Sequence, residues 1–219
     1  MANDQPESCP VCNVFSPVPF QEVDERRYWR CEICEARFLD PRQLPSAEEE
    51  RTHYLHHEND VDDPRYRKFL SKLADPLLDK LEPGLSSLDY GCGPGPALAK
   101  MLEEAGRRMA LYDPFFFPDD SALETTYDVI TCTEVVEHFH RPFDEFSRLD
   151  RLLRPGGWLG IMTCFQTDDQ RFATWHYRRD PTHVVFYRET TLRHIAAQRG
   201  WTCTIPGKDV ALMQKPDVE

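Results

Sequence analysis

The chain has 219 residues, 40% hydrophobic and 29% charged, a balance that fits a globular protein and argues against wholesale disorder. Its net charge of −12 is shared evenly, with −6 in the first fifty residues and −6 in the remainder, so no basic arm is available to neutralise a nucleic-acid backbone. No apolar run approaches the ~20 residues that span a bilayer, and the opening MANDQPESCP has no apolar signal core, so the expectation is a cytoplasmic protein without a membrane segment.

The first feature along the chain is a cysteine pattern. Cys9 and Cys12 form one C-x2-C knuckle and Cys31 and Cys34 a second, 18 residues later. Two-residue spacing lets both thiolates of a knuckle face one metal, and two knuckles complete a tetrahedron. Between them lie Phe15, Phe20, Tyr28 and Trp29, enough aromatic area for a very small core. Residues 1–40 therefore read as a structural zinc ribbon with Cys9, Cys12, Cys31 and Cys34 as ligands. Two disulfides, or a redox pair, are the competing readings; nothing in the sequence points to an oxidising compartment. The other cysteines, Cys92, Cys132, Cys164 and Cys203, read as buried free thiols.

Residues 41–63 are polar, with Pro41, Pro45 and an acidic run at 48–50, and read as a linker that carries His53, Tyr54, His56 and His57. Asp63-Pro64 is a helix start, followed by helically spaced apolar residues from Tyr66 to Leu81, with a kink expected at Pro76 and a stop at Pro83-Gly84. From residue 85 strand and helix patterns alternate. Strands are expected over 86–90, 109–113, 127–132 and 157–163, then near 201–205 and 210–214. Helices are expected over 97–105, 142–153 and 189–199. Such alternation predicts a doubly wound α/β sheet over residues 64–219.

The first strand runs into Asp89-Tyr90-Gly91-Cys92-Gly93-Pro94-Gly95-Pro96. Alternating glycines permit positive φ and let a ligand approach the backbone. In an open α/β sheet this strand-to-helix turn is a nucleotide site. The dinucleotide pattern G-x-G-x-x-G fails because Pro96 stands where the third glycine would, and no P-loop lysine is present. An acid at the head of the loop, Asp89, repels phosphate but suits a cation. Asp113 ends the next strand, where a carboxylate can accept both ribose hydroxyls. This ordered set describes a site for an adenosyl sulfonium.

These motifs resemble those of class I S-adenosylmethionine-dependent methyltransferases, of the branch that includes quinone-biosynthesis and small-molecule methyltransferases. Asp89–Gly95 is similar to the family's first motif and Asp113 to its second; residues 127–138 resemble its fourth-strand motif and residues 153–159 the turn before its fifth strand. The resemblance covers about residues 64–219. It implies a Rossmann-like methyltransferase sheet with an antiparallel last strand. It also implies S-adenosylmethionine held by Asp89, Gly91, Cys92, Gly93 and Gly95, by Asp113, Pro114 and Phe115, and by Thr133 and Glu134. One departure stands out. Only 13 residues separate Asp113 from Tyr127, where the family fits a helix and a third strand with an adenine-reading polar residue. The third strand is expected to be vestigial, with stacking on Phe115 or Phe116 in its place.

Methyl transfer requires orientation of the acceptor and sometimes a base. Two segments can line an acceptor pocket: residues 53–66, with Tyr54 and His57, and residues 172–187, with Trp175, Tyr177, Arg178 and Tyr187. His183 is the preferred base and His176 the second, since histidine takes up a proton near neutral pH; His138 reads as architectural. The leading expectation is a methyltransferase acting on a small-molecule acceptor at O or N, with a homodimer possible through the ribbon. The alternatives are an RNA- or protein-directed methyltransferase, which the acidic balance disfavours, and a non-catalytic S-adenosylmethionine-binding module.

Overall fold

The structure is a computed structural model, in which residues 5–15, 17–55 and 60–217 are described. The four-cysteine segment forms a hairpin of β1 (Val18–Val23) and β2 (Arg26–Arg30) followed by β3 (Arg37–Leu39), all antiparallel. The hairpin turns at Asp24 and Glu25, both at positive φ, 52° and 63°. That conformation matches the right-handed twist of the flanking strands.

The ribbon does not close on a core of its own. Phe15 is 77% exposed and takes no part in a core, whereas Tyr28 is fully buried. The rings of Phe20 and Tyr28 pack edge-on against Phe172, with centroids 5.1 and 4.9 Å away, and β3 pairs with a short strand β8 (Val185–Phe186) far along the chain. A segment this small buries too little apolar area alone. It borrows the rest from the α/β unit, and the two share one hydrophobic core.

The segment read as a linker is partly helical. Helix α1 (Ala47–Tyr54) starts at a full capping box, in which Ser46 accepts from the Glu49 N–H and the Glu49 carboxylate accepts from the Ser46 N–H. Helix α2 (Pro64–Leu78) is capped by Asp63, runs through Pro76 and ends two residues later.

The main sheet has six strands. These are β4 (Ser86–Tyr90), β5 (Arg108–Tyr112), β6 (Tyr127–Thr133), β7 (Leu153–Met162), β9 (Thr202–Gly207) and β10 (Val210–Gln214), in the order β5-β4-β6-β7-β10-β9. β4 pairs in parallel with β5 and β6, and β6 with β7; β10 is antiparallel to both its neighbours. Helices α2 and α3 (Ala97–Glu104) cover one face through Leu70, Leu73, Leu77, Leu98 and Leu102. Helices α4 (Pro142–Leu152) and α5 (Glu189–Gln198) cover the other through Phe146, Leu149, Leu192 and Ile195. This is the doubly wound arrangement that the alternation predicts, with the Rossmann-like sheet and antiparallel last strand that the resemblance implies.

No strand lies between β5 and β6 among the described residues. Asp113 and Phe117 form a single antiparallel bridge, a 3-10 turn follows over Asp120–Leu123, and β5 is left as the sheet edge. Thirteen residues suffice for a turn and a return, not for a crossover helix plus strand. No helix among the described residues is long and apolar enough to cross a membrane.

Candidate functional site

A cavity of about 670 Å³ opens at the carboxyl ends of β4, β5 and β6. Its middle is the glycine loop. Gly91 and Gly93 stand at positive φ, 79° and 64°. The N–H groups of Gly91 and Cys92 both donate to the Tyr112 carbonyl, 2.7 and 3.2 Å away, which ties the loop to the tip of β5. A Cβ at Gly91 would come within 2.6 Å of both Val135 methyls, so side chains are excluded there for space as well as conformation. Gly95 is buried outside the cavity wall, and Pro94 is the last lining residue of the loop.

Asp113 sits at the cavity wall, 7% exposed. Its Oδ1 accepts from the N–H groups of Phe115 and Phe116 at 2.8 and 3.0 Å, and its Oδ2 from Gly93 at 3.0 Å. Its carboxylate thus holds the glycine loop and its own turn in place while facing the cavity. Asp89 is buried below the loop and accepts from the Thr131 hydroxyl at 2.7 Å. Burial pushes the Asp89 carboxyl up to about 6, with Asp113 adding to the effect and Thr131 opposing it. Cys92, Pro114, Phe115, Thr133 and Glu134 also line the cavity.

The far wall comes from three separate segments. Helix α1 supplies Glu50 and Tyr54, the turn after β6 supplies His138, His140 and Arg141, and the loop before β8 supplies Asp180 and His183. His183 is 8% exposed, and its Nδ1–H donates to the Tyr177 carbonyl at 2.7 Å. A carbonyl can only accept, so in the neutral ring the lone pair is on Nε2, which stands 3.9 Å from Asp180 Oδ2. His138 repeats the arrangement, its Nδ1–H donating to the Thr182 carbonyl at 3.0 Å, with its ring 4.7 Å from that of His183. Burial lowers the His138 pKa, against the pull of Glu137. Asp180 accepts from the Thr182 N–H and hydroxyl, and pairs with His53 Nε2 at 3.0 Å. Burial works to raise Asp180, but the Thr182 hydrogen bonds and the nearby His183 hold it well below the usual carboxylate range.

Beside this wall lies an acidic pair, Glu134 on the cavity and Glu137 in the core. Glu137 is fully buried. The Tyr177 hydroxyl donates to Glu137 Oε1, lies 3.2 Å from Glu134 Oε2 and pairs with Thr163 at 3.1 Å. Burial, with Glu137 close by, raises the Glu134 carboxyl well above the usual carboxylate range. Glu137, His138 and His183 each offer an oxygen or nitrogen within 4.8 Å of the others, close enough to share a cation.

The predicted site residues therefore separate into two groups. His183 and Tyr54 reach the cavity wall, as do the cofactor residues other than Asp89, which is buried beneath the loop, and Gly95. His176 is exposed on a 3-10 turn and does not line the cavity. Trp175, Tyr177, Arg178 and Tyr187 are absent from the cavity wall too. Trp175 packs on Phe172 and Phe186, Arg178 is buried in an ion pair with Asp24 at 2.8 Å, and Tyr187 is a core residue whose hydroxyl donates to the Val136 carbonyl. Tyr177 touches the site through its carbonyl on His183 and its hydroxyl on Glu137. His57 lies outside the described residues. Sequence reasoning missed Glu50 and Glu137 as wall or support, and His138 lines the cavity instead of serving only the backbone architecture. A helical phase read over 47–54 would have put Glu50 and Tyr54 on one side of a helix.

The second buried cluster is the four cysteines. Cys9 Sγ lies 3.7 Å from Cys34 Sγ and Cys12 Sγ 3.6 Å from Cys31 Sγ, and all four sulfurs fall within 4.8 Å of one another. The Val11 N–H points at Cys9 Sγ and the Cys34 N–H at Cys31 Sγ. Backbone donors aimed at sulfur stabilise thiolates. Four sulfurs at this separation suit a tetrahedral ion with metal–sulfur bonds of ~2.3 Å. The donor set and spacing fit zinc.

A family model described as a methyltransferase domain matches residues 55–204. The chain is 26% identical over 173 residues to the mitochondrial ubiquinone biosynthesis O-methyltransferase of Schizosaccharomyces pombe, covering 61% of this chain and 63% of that protein. It is 30% identical over 110 residues to the ubiquinone biosynthesis O-methyltransferase of Burkholderia multivorans, covering 42% of this chain and 47% of that one. The chain thus spans less than two thirds of the length of either relative. Among solved structures, the 1,6-didemethyltoxoflavin-N1-methyltransferase of Burkholderia thailandensis, bound to 1,6-didemethyltoxoflavin and S-adenosylhomocysteine, superposes with a TM-score of 0.53 at 17% identity. That match covers 91% of this chain and all of that one, and is a likeness of fold.

Proposed function

Because the chain belongs to the methyltransferase-domain family over residues 55–204, we propose that it transfers a methyl group from S-adenosylmethionine to an oxygen or nitrogen of a small-molecule acceptor. One observation carries this reading. A single cavity joins a glycine loop and Asp113 to a wall that presents His183 and His138. Its volume, about 670 Å³, falls in the range of pockets that enclose small ligands.

The residues fit the cofactor. Gly91 and Gly93 expose backbone with no Cβ in the way, Asp113 can accept from ribose hydroxyls, and Asp89 supplies negative charge under a cation. When bound, S-adenosylmethionine supplies the electrophilic methyl. The chain's own work is to orient the acceptor and take its proton. His183 Nε2 holds the lone pair that accepts this proton, because Nδ1–H is locked on the Tyr177 carbonyl. Asp180, kept anionic, stabilises the resulting imidazolium. Tyr54, edge-on to His138 and 5.5 Å from the Phe115 ring, supplies an aromatic wall for a planar or apolar acceptor.

We assign the four cysteines to a structural zinc ion. A closed set of four thiolates leaves no coordination position for substrate. The ion would hold β3, and through β3 the strand that follows His183.

Titration of S-adenosylhomocysteine by calorimetry tests the reading. One-to-one binding by wild type, lost in Asp113→Ala, is the expected result. A folded wild-type protein that binds none would overturn it. A panel of phenols, catechols and amines with radiolabelled cofactor then identifies the acceptor class.

A further inference from the structure

The cavity wall also includes Tyr90, Tyr112, Phe139, Glu145 and Arg148, apart from the ring contacts of the histidines. The strand tips follow one another in the order β6, β4, β5, carrying first Glu134 and His138, then the glycine loop, then Tyr112 and Asp113. The ring contacts divide the wall into two groups that share no member. Tyr54, Phe115, His138 and His183 form a chain at one end, and Tyr90, Tyr112 and Phe139 form another group, with Tyr90 5.2 Å from Tyr112 and 6.3 Å from Phe139. On the reading above, Asp113 holds the ribose and the reacting methyl faces the histidines. The nucleobase is then directed to the Tyr90–Tyr112 end.

Among the described residues no third strand contributes a polar reader at that end, because β5 is the sheet edge. Two side chains from α4 line the cavity instead, Glu145 and Arg148. They are held in a defined geometry. The Tyr90 hydroxyl donates to Glu145 Oε2 at 2.6 Å, and Arg148 Nη1 lies 3.3 Å from the same oxygen and 3.1 Å from the Tyr90 hydroxyl. Two of these contacts fix Oε2, the third ties their donors together, and the carboxylate is left oriented with Oε1 as its second acceptor. The Glu145 side chain is 24% exposed, so it is neither sealed in the core nor free on the surface. A carboxylate accepts hydrogen bonds and cannot donate them, so it favours an exocyclic amino group and rejects a carbonyl in the same place.

We infer that Glu145, oriented by Tyr90 and Arg148, recognises the exocyclic amino group of the cofactor's adenine, in place of a residue from the missing strand. Helix α4, not the 114–126 segment, then sets nucleobase specificity. The inference rests on the proposed cofactor reading.

The test compares two ligands by calorimetry: S-adenosylhomocysteine and its deaminated counterpart, S-inosylhomocysteine, which carries a carbonyl where adenine has the amino group. Wild type is expected to prefer the adenosyl compound by at least about tenfold, as expected when a built hydrogen-bond acceptor meets a repelling group. Glu145→Gln, which is isosteric and can donate, is expected to reduce that preference several-fold. Tyr90→Phe removes one of the bonds on Oε2 and is expected to reduce it by a smaller factor. A purely structural role for Glu145 would weaken both ligands alike and leave their ratio unchanged. Circular dichroism and thermal melting establish that the variants are folded. A ratio unmoved in folded Glu145→Gln, or a wild type that binds both compounds equally, overturns the assignment alone. A folded wild type that binds neither overturns the assignment together with the reading beneath it.

Discussion

The backbone N–H of Leu39 donates to the carbonyl of Val184 at 2.8 Å, which joins the last strand of the cysteine segment to the residue after His183. The β3–β8 pairing continues the join through Arg37–Phe186 and Phe38–Val185. Arg37, 2% exposed, adds a two-pronged ion pair to Asp169, with its Nε and Nη2 at 3.0 and 2.7 Å from the two carboxylate oxygens. The proposed zinc site therefore supports the acceptor wall more directly than the glycine loop, which is held by β5.

Metal removal should separate the two halves of the cavity. Cys12→Ser, or chelation of the wild type, is expected to lower the melting temperature and abolish methyl transfer while S-adenosylhomocysteine still binds. Metal content by mass spectrometry, thermal melting and calorimetry check this together. Equal loss of cofactor binding and transfer would show that the ribbon supports the whole sheet instead.

His183 and His176 lie in the same loop but in opposite settings, one against Tyr177 and Asp180 and one exposed. His183→Ala is expected to reduce kcat by roughly 10²–10⁴-fold, the usual contribution of a positioned general base. Cofactor affinity should be unchanged. His176→Ala is expected to leave both quantities unchanged, and single-turnover kinetics beside calorimetry tells the two variants apart.

The carboxyl of Asp89 is raised to about 6 by burial, from an ordinary value of 3.8. Protonation is thus favoured in the folded state. The stability this contributes is fully present below 3.8 and is lost as pH rises through about 6. Cofactor binding has the opposite sign, because a cationic ligand favours the carboxylate. Affinity is expected to fall as pH drops below about 6, approaching tenfold per pH unit. Calorimetry between pH 5 and pH 8 measures the slope, and Asp89→Asn should bind more weakly and remove it.

Gly91→Ala meets two obstacles, a φ of 79° and a Cβ position 2.6 Å from the Val135 methyls. The expected cost is roughly 1–3 kcal/mol for backbone strain alone, with the contact added to it. Adding Val135→Ala should recover the contact but not the strain. Denaturant melts of the single and double variants measure the two contributions.

Much of this protein is local and therefore readable along the chain. The C-x2-C pairs, the alternating glycines after a strand and the acid at the end of the next strand are short-range patterns. Each is imposed by the bonding needs of one ion or one ligand. Helical and strand periodicity placed most elements of the α/β unit for the same reason, since burial on one face demands a repeat of 3.6 or 2 residues. The short stretch after Asp113 announced the missing strand by length alone.

Tertiary structure decided the rest. Whether His176 or His183 faces the cavity depends on how the loop is pulled in by β8, a two-residue strand whose partner lies about 150 positions away. The ribbon's aromatic residues found their core on Phe172, and Arg178 found its partner in Asp24, contacts that no spacing rule encodes. Glu50, Tyr54, Glu145 and Arg148 reach one cavity from two helices far apart in sequence. Sequence patterns record what each segment must bury or bind. Which segments meet depends on packing energies summed over the whole core, and the acceptor wall and the α4 end of the cavity were decided there.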